Sequence, residues 1–154
     1  MRIAMFRRVA VPALCLAGAA ALWAGPTLAA SSEKFETQLS GQSQVPPVDT
    51  QGSGTAEFRY NPTTRHLSWS ISYKDLSSAV TAAHIHSGAA GSNGKVLLPL
   101  TKKGSMENPS PIKGSATLTE DQAKELMSGN TYVNVHTEKN KAGELRGQIT
   151  PPAS

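Results

Sequence analysis

The stretch that decides the fold is TAEFRYNPTTRHLSWSISY, residues 55–73. Apolar and polar residues alternate on both sides of Asn61-Pro62-Thr63-Thr64, a sequence typical of a turn. Alternation with a period of two puts one set of side chains on one face of a strand. The stretch therefore predicts a β-hairpin with one apolar and one polar face. The apolar positions are Ala56, Phe58, Tyr60, Leu67, Trp69, Ile71 and Tyr73.

Short strand-like segments continue on both sides of this hairpin and are separated by turn residues. One helix is predicted, because Thr119 is a good N-cap, Gln122 completes a capping box and Gly129-Asn130 supplies a stop. About seven to nine short strands with one helix predict an all-β fold, an antiparallel Greek-key sandwich or flattened barrel. The further strand-like segments are residues 35–39, 81–86, 95–100, 112–118, 132–136 and 144–149.

Residues 1–30 have the three parts of a secretory signal peptide. They comprise a basic start, an apolar stretch over residues 9–23 and a cleavage region of small residues that ends at Ala30. The apolar stretch is shorter than the roughly 20 residues that a membrane-spanning helix needs. We therefore expect a cleaved signal, a single domain over residues 31–154, and a periplasmic or secreted protein without membrane association after cleavage. An uncleaved membrane anchor is the alternative.

Composition and charge exclude several classes of protein. The only cysteine, Cys15, lies in the signal segment, so disulfides and thiolate metal sites are excluded from the mature chain. Without the three arginines of the signal segment, the chain has 12 basic and 11 acidic residues. This nearly balanced charge predicts no nucleic-acid partner. The sequence has neither a nucleophile elbow nor a phosphate-binding glycine loop. A monomer is the default expectation.

Three of the four histidines lie in two predicted strands. His84 and His86 are two residues apart, so their side chains point the same way from Cα atoms about 6.6 Å apart, close enough to share one ion. His136 completes a three-nitrogen site if the two strands are neighbours. Three imidazoles without a thiolate fit copper(II) or zinc, and the affinity order of divalent metals favours copper, with zinc as the second choice. The predicted metal ligands are therefore His84, His86 and His136.

Other polar residues receive lesser roles. His66 alternates with serines after a turn and is predicted to lie on the surface, with a place in a second site as the alternative. Met106 is an alternative further ligand for copper(I). Arg146 is expected to form an ion pair with neighbouring residues. Candidates for fixing the tautomer of a histidine are Asn134, Glu138 and Glu144.

Three longer motifs resemble the chordin-type (CHRD) domain, a family found in animal chordin and in many secreted microbial proteins. The motifs are Leu39-Ser40-Gly41 with Val45-Pro46-Pro47-Val48, residues 82–91, and residues 132–137 leading into 143–149. The resemblance covers Phe35 to about Ile149 and implies an immunoglobulin-like β-barrel.

The three histidines are also similar, more distantly, to the copper ligands of copper-zinc superoxide dismutase, where a His-x-His pair and a distant histidine hold the metal. The present sequence differs from that enzyme because it has no cysteine pair, no evident bridging histidine and no zinc-ligand cluster. The analogy supports at most a mononuclear copper site.

The leading functional hypothesis is an exported protein that binds one copper ion for copper handling rather than turnover. Its expected partners are the metal ion and, as a further candidate, a periplasmic protein. Binding should weaken below about pH 6, because the ligating imidazoles must be neutral. One alternative is a non-enzymatic interaction or structural module without metal, in which exposed loops such as 102–111 bind a partner. The other is a copper oxidoreductase that uses an open ligand position.

Overall fold

The computed structural model describes residues 32–102, 105 and 108–152. Within them, eight strands pair antiparallel in one curled sheet, and there is one short helix. The predicted all-β fold with one helix is confirmed, whereas the Greek-key, immunoglobulin-like arrangement stays a prediction. The elements are β1 (Glu33–Ser40), β2 (Ser53–Asn61), β3 (His66–Lys74), β4 (Val80–Ser87), β5 (Val96–Pro99), β6 (Ile112–Thr117), α1 (Glu120–Met127), β7 (Thr131–Thr137) and β8 (Leu145–Ile149).

The strands follow the order β5-β4-β7-β8-β1-β2-β3-β6 across the sheet. The predicted hairpin forms β2 and β3, in which Phe58 lies opposite Trp69 and Ala56 opposite Ile71. These four side chains are buried in the hydrophobic core, as the alternation of the sequence predicts. The signal segment, residues 1–30, lies outside the described residues. No helix among the described residues is long and apolar enough to span a membrane.

The helix α1 confirms the capping prediction. The hydroxyl of Thr119 accepts a hydrogen bond from the Gln122 amide, and the Gln122 side chain accepts one from the Thr119 amide. Ala123 and Leu126 bury the inner face of the helix in the core. The Gln122 side chain also donates to the Leu97 carbonyl at 2.9 Å, so the helix covers part of the edge strand β5.

Candidate metal centre

The two histidine motifs lie on neighbouring strands, because β4 pairs directly with β7. In this register His84 lies opposite Asn134, His86 opposite Tyr132 and Ala82 opposite His136. Residues that lie opposite each other on antiparallel strands point to the same face of a sheet. All three histidines therefore share one face, while the alternating residues of both strands point into the core. These core residues are Ala83, Ile85, Val133 and Val135.

The three imidazoles converge in space. One nitrogen from each ring can be chosen so that all three lie within 4.8 Å of one another. His84 Nδ1 and His136 Nε2 are 3.1 Å apart. Two nitrogens at this separation, each about 2.05 Å from one ion, would subtend about 98° at it, between the square-planar and tetrahedral angles. The cluster can therefore hold a small transition-metal ion.

Main-chain carbonyls set the tautomers of two of the rings. His86 Nδ1 lies 3.0 Å from the Gly94 carbonyl oxygen, and His136 Nδ1 lies 2.9 Å from that of Lys141. A carbonyl can only accept, so both Nδ1 atoms donate. In the neutral ring the proton is then on Nδ1, which leaves Nε2 with a free lone pair. Both rings are thus prepared to ligate a metal through Nε2.

The Nε2 atom of His86 is buried and has no hydrogen-bond partner among the described residues. The residue is 9% exposed, and its ring stacks on Tyr132 with 5.0 Å between ring centroids. A buried polar atom without a partner costs free energy, and nearly all such atoms in folded proteins are paired. A metal ion bound between the three rings would give this lone pair its missing partner.

The face that carries the histidines lies opposite the core and is partly covered, since His84 and His136 are half-buried and His86 is buried. Three loops fold over it, residues 41–48, 88–94 and 138–143, and hydrogen bonds hold them to the strands below. Gln44 donates to the Asn134 carboxamide at 2.7 Å, and Asn134 donates to the Ala142 carbonyl at 3.0 Å. A cleft of about 410 Å³ between these loops reaches His86.

Burial also affects protonation. It lowers the pKa of His84 to about 4, with smaller contributions from the charges of His136 and His86. The pKa of His136 is lowered as well, by burial first, although its hydrogen bond to the Lys141 carbonyl opposes this effect. Both rings are therefore neutral near pH 7, the state that a metal requires. At these two candidate ligands, protons would therefore compete with a metal only at a lower pH than they would at a histidine with an ordinary pKa.

We expect the His84 ring of the metal-free protein to titrate with a midpoint near pH 4 in an NMR pH series. Because the unfolded ring has a pKa near 6.5, the unfolded chain binds more protons between about pH 6.5 and 4. The free energy of unfolding therefore falls as the pH drops through this window. A His84 midpoint near 6.5 would show that the ring is not desolvated.

Arg146 and Glu144 have other hydrogen-bond partners than the sequence led us to expect. The prediction of an ion pair at Arg146 is wrong within the described part of the chain, because its partners are carbonyl oxygens and an amide. Glu144 accepts hydrogen bonds from Thr50, Ser77 and Thr137 rather than from a histidine.

None of the remaining candidates that the structure describes forms a hydrogen bond with the three histidines. Asn134 bonds to Gln44 and Ala142, and Glu138 is exposed. His66 is an exposed residue of β3, several strands away from β4 in the sheet, which confirms its surface position. Met106 lies outside the described residues. Sequence reasoning missed the carbonyls of Gly94 and Lys141, since every residue has a carbonyl and only the folded loops select these two.

Taken together, the antiparallel sheet and the partly buried histidine cluster define a small β-sheet protein with a candidate three-histidine metal centre. The chain belongs to the CHRD domain family, whose model matches residues 35–149. This match confirms the resemblance seen in the sequence motifs. Compared with curated proteins and with solved structures, the chain gives no match.

Proposed function

We propose that this protein binds one copper ion through His84, His86 and His136 and serves in copper handling. The observation that carries the proposal is the buried Nε2 of His86, which has no partner among the residues that the structure describes and lies beside two further imidazoles whose ring nitrogens are 3.1 Å apart. Three features suit metal ligation. The rings of His84 and His136 are neutral near pH 7, main-chain carbonyls set the tautomers of His86 and His136, and His86 Nε2 has no hydrogen bond within the described part of the chain.

Copper is favoured by the chemistry of the donors. All three are imidazole nitrogens, which suit copper and zinc, and copper(II) binds nitrogen sites more tightly than the other divalent metals of its row. In the metal-free protein, His136 Nε2 accepts from His84 Nδ1, because the other nitrogen of His136 already donates to Lys141. If His84 ligates a metal through Nδ1, its proton therefore has to move to Nε2, which changes the tautomer of the neutral ring without a net release of protons.

Export is part of the same proposal and is supported by the signal-like composition of residues 1–30. It places the domain over residues 31–154 in the periplasm or outside the cell. The immunoglobulin-like, Greek-key arrangement is likewise proposed on the resemblance to the family. A three-nitrogen site leaves further ligand positions for transfer of copper to a partner.

A copper titration of the purified protein tests this proposal. We expect one copper(II) per chain to remain bound after desalting, with nitrogen hyperfine structure in its electron paramagnetic resonance spectrum. A parallel zinc titration should give weaker binding, because zinc follows copper in the affinity order. Retention of copper(I) alone would still support the metal site but would change the oxidation state that we assign to the bound copper. If neither copper(II) nor copper(I) were retained, the proposal would be wrong.

A further inference from the structure

Arg146, in β8, is buried without a carboxylate partner among the described residues. Its side chain is 1% exposed. The guanidinium donates to Asn93 Oδ1 at 3.1 Å, to the Ala89 carbonyl at 3.1 Å and to the Ser92 carbonyl at 2.7 Å. Burying a cation is costly unless its donors are satisfied, so an arginine at this position needs these acceptors.

All three acceptors belong to the loop 88–94, which ends next to the candidate metal centre. The Gly94 carbonyl accepts the hydrogen bond from His86 Nδ1, and the Gly94 amide donates to the Tyr132 hydroxyl at 3.1 Å. A Cβ atom at Gly94 would lie 1.6 Å from the Ser87 carbonyl oxygen, so the loop closes tightly against β4. By holding this loop, Arg146 holds the carbonyl that keeps the proton of His86 on Nδ1.

A stack of side chains makes a second connection between Arg146 and His86. The guanidinium carbon lies 3.5 Å from the centroid of the Tyr132 ring, and the His86 ring is stacked on Tyr132 with an interplanar angle of 11°. Since the distances along this stack are 3.5 and 5.0 Å, the guanidinium lies no more than 8.5 Å from the His86 centroid. Cation–π contact and stacking orient the phenol ring and the imidazole together.

We propose that Arg146 is a positioning residue for the metal centre. It fixes the tautomer of His86 through the loop 88–94 and the orientation of the ring through Tyr132, so that the Nε2 lone pair points into the three-histidine cluster. This inference rests on the proposed metal binding. The tautomer and orientation of His86 in the metal-free protein are, however, consequences that can be observed without any metal.

The test uses nitrogen NMR of the histidine rings in the metal-free protein together with copper(II) affinity. Arg146→Lys keeps the positive charge but loses the planar fork of donors. Asn93→Ala removes one acceptor at an exposed position and is expected to fold even if the first variant does not. The matched control is Ser92→Ala in the same loop, because it leaves the Ser92 carbonyl that Arg146 uses.

In the wild-type protein and in Ser92→Ala, we expect His86 to carry its proton on Nδ1. Arg146→Lys should show a mixture of His86 tautomers and bind copper(II) about 10- to 100-fold more weakly, the range expected for loss of a group that orients a ligand. Asn93→Ala should change both readouts in the same direction by a smaller factor.

Unchanged tautomer and unchanged affinity in the folded Arg146→Lys and Asn93→Ala variants would overturn the positioning role. If the wild-type protein bound no copper, the proposed function would fail. The tautomer measurement would then still decide whether Arg146 positions His86.

Discussion

Replacing His86 with alanine should lower the affinity for copper(II) by more than about 100-fold, since loss of an outer group that only orients a ligand already costs 10- to 100-fold. The substitution removes the buried Nε2 lone pair, which has no partner among the described residues of the metal-free protein. It leaves only two imidazoles, His84 and His136, to hold the ion. The affinity would be measured by competition with a chelator of known copper affinity.

His66→Ala is the matched control for this measurement, because His66 is exposed on β3 and lies outside the cluster. It should bind copper as the wild-type protein does. Thermal unfolding of the metal-free variants would show that both are folded. If His86→Ala retained wild-type affinity while remaining folded, the ion would have to be bound by other residues.

The second large effect is expected at Glu144, which is fully buried and ties distant segments together. Burial alone would raise its pKa, but hydrogen bonds from Thr50, Ser77 and Thr137 outweigh this and lower the pKa to about 2. Asn140 donates a further hydrogen bond at 3.2 Å. These donors join the segments around residues 50 and 77 to the end of β7.

Glu144→Gln should lower the free energy of unfolding by about 3 kcal/mol, which is the free energy of moving a carboxyl pKa from 4.5 to about 2. Glutamine resembles the protonated carboxyl, because only one of its two terminal groups accepts hydrogen bonds. Its NH2 group is a donor and would face the donors that now bind the second carboxylate oxygen. Chemical denaturation of the metal-free protein at pH 7 would measure the change. Glu138→Gln, at an exposed neighbouring position, should have little effect.

The contribution of Glu144 to the free energy of unfolding decreases as the pH falls. The folded-state pKa of Glu144 lies below its unfolded value of about 4.5, so its stabilising contribution is present above pH 4.5 and is lost as the pH falls toward 2. Glu144→Gln should therefore show a flatter fall in stability over this window than the wild-type protein. Equal slopes for the two proteins would contradict the account of this carboxylate.

Much of the fold could be predicted from the sequence, because its strands alternate clearly. The positions of Phe58 and Trp69 in the hairpin and the capping box at Thr119 follow from local patterns, and the structure confirms them. Which strands become neighbours is set by tertiary packing. The histidine cluster depends on the pairing of β4 with β7. The sequence could not predict this pairing and only showed that the site requires it.

The surroundings of the site could not be predicted, for a physical reason. The covering loops are held by main-chain carbonyls and by contacts between residues far apart in sequence, such as the bond from Gln44 to Asn134. The sequence predicts an ion pair between Arg146 and neighbouring residues, but the folded loop supplies carbonyl acceptors instead. Alternation shows which face a side chain takes, whereas it does not show what covers that face.

The most direct test of the central claim is a crystal structure of the copper-loaded protein, with anomalous scattering data collected at the copper edge. We predict a single strong anomalous peak about 2.0–2.1 Å from one ring nitrogen each of His84, His86 and His136, with Nε2 as the ligating atom of His86 and His136. A peak at any other group of residues, or no peak between these three rings, would contradict the assignment of the metal centre.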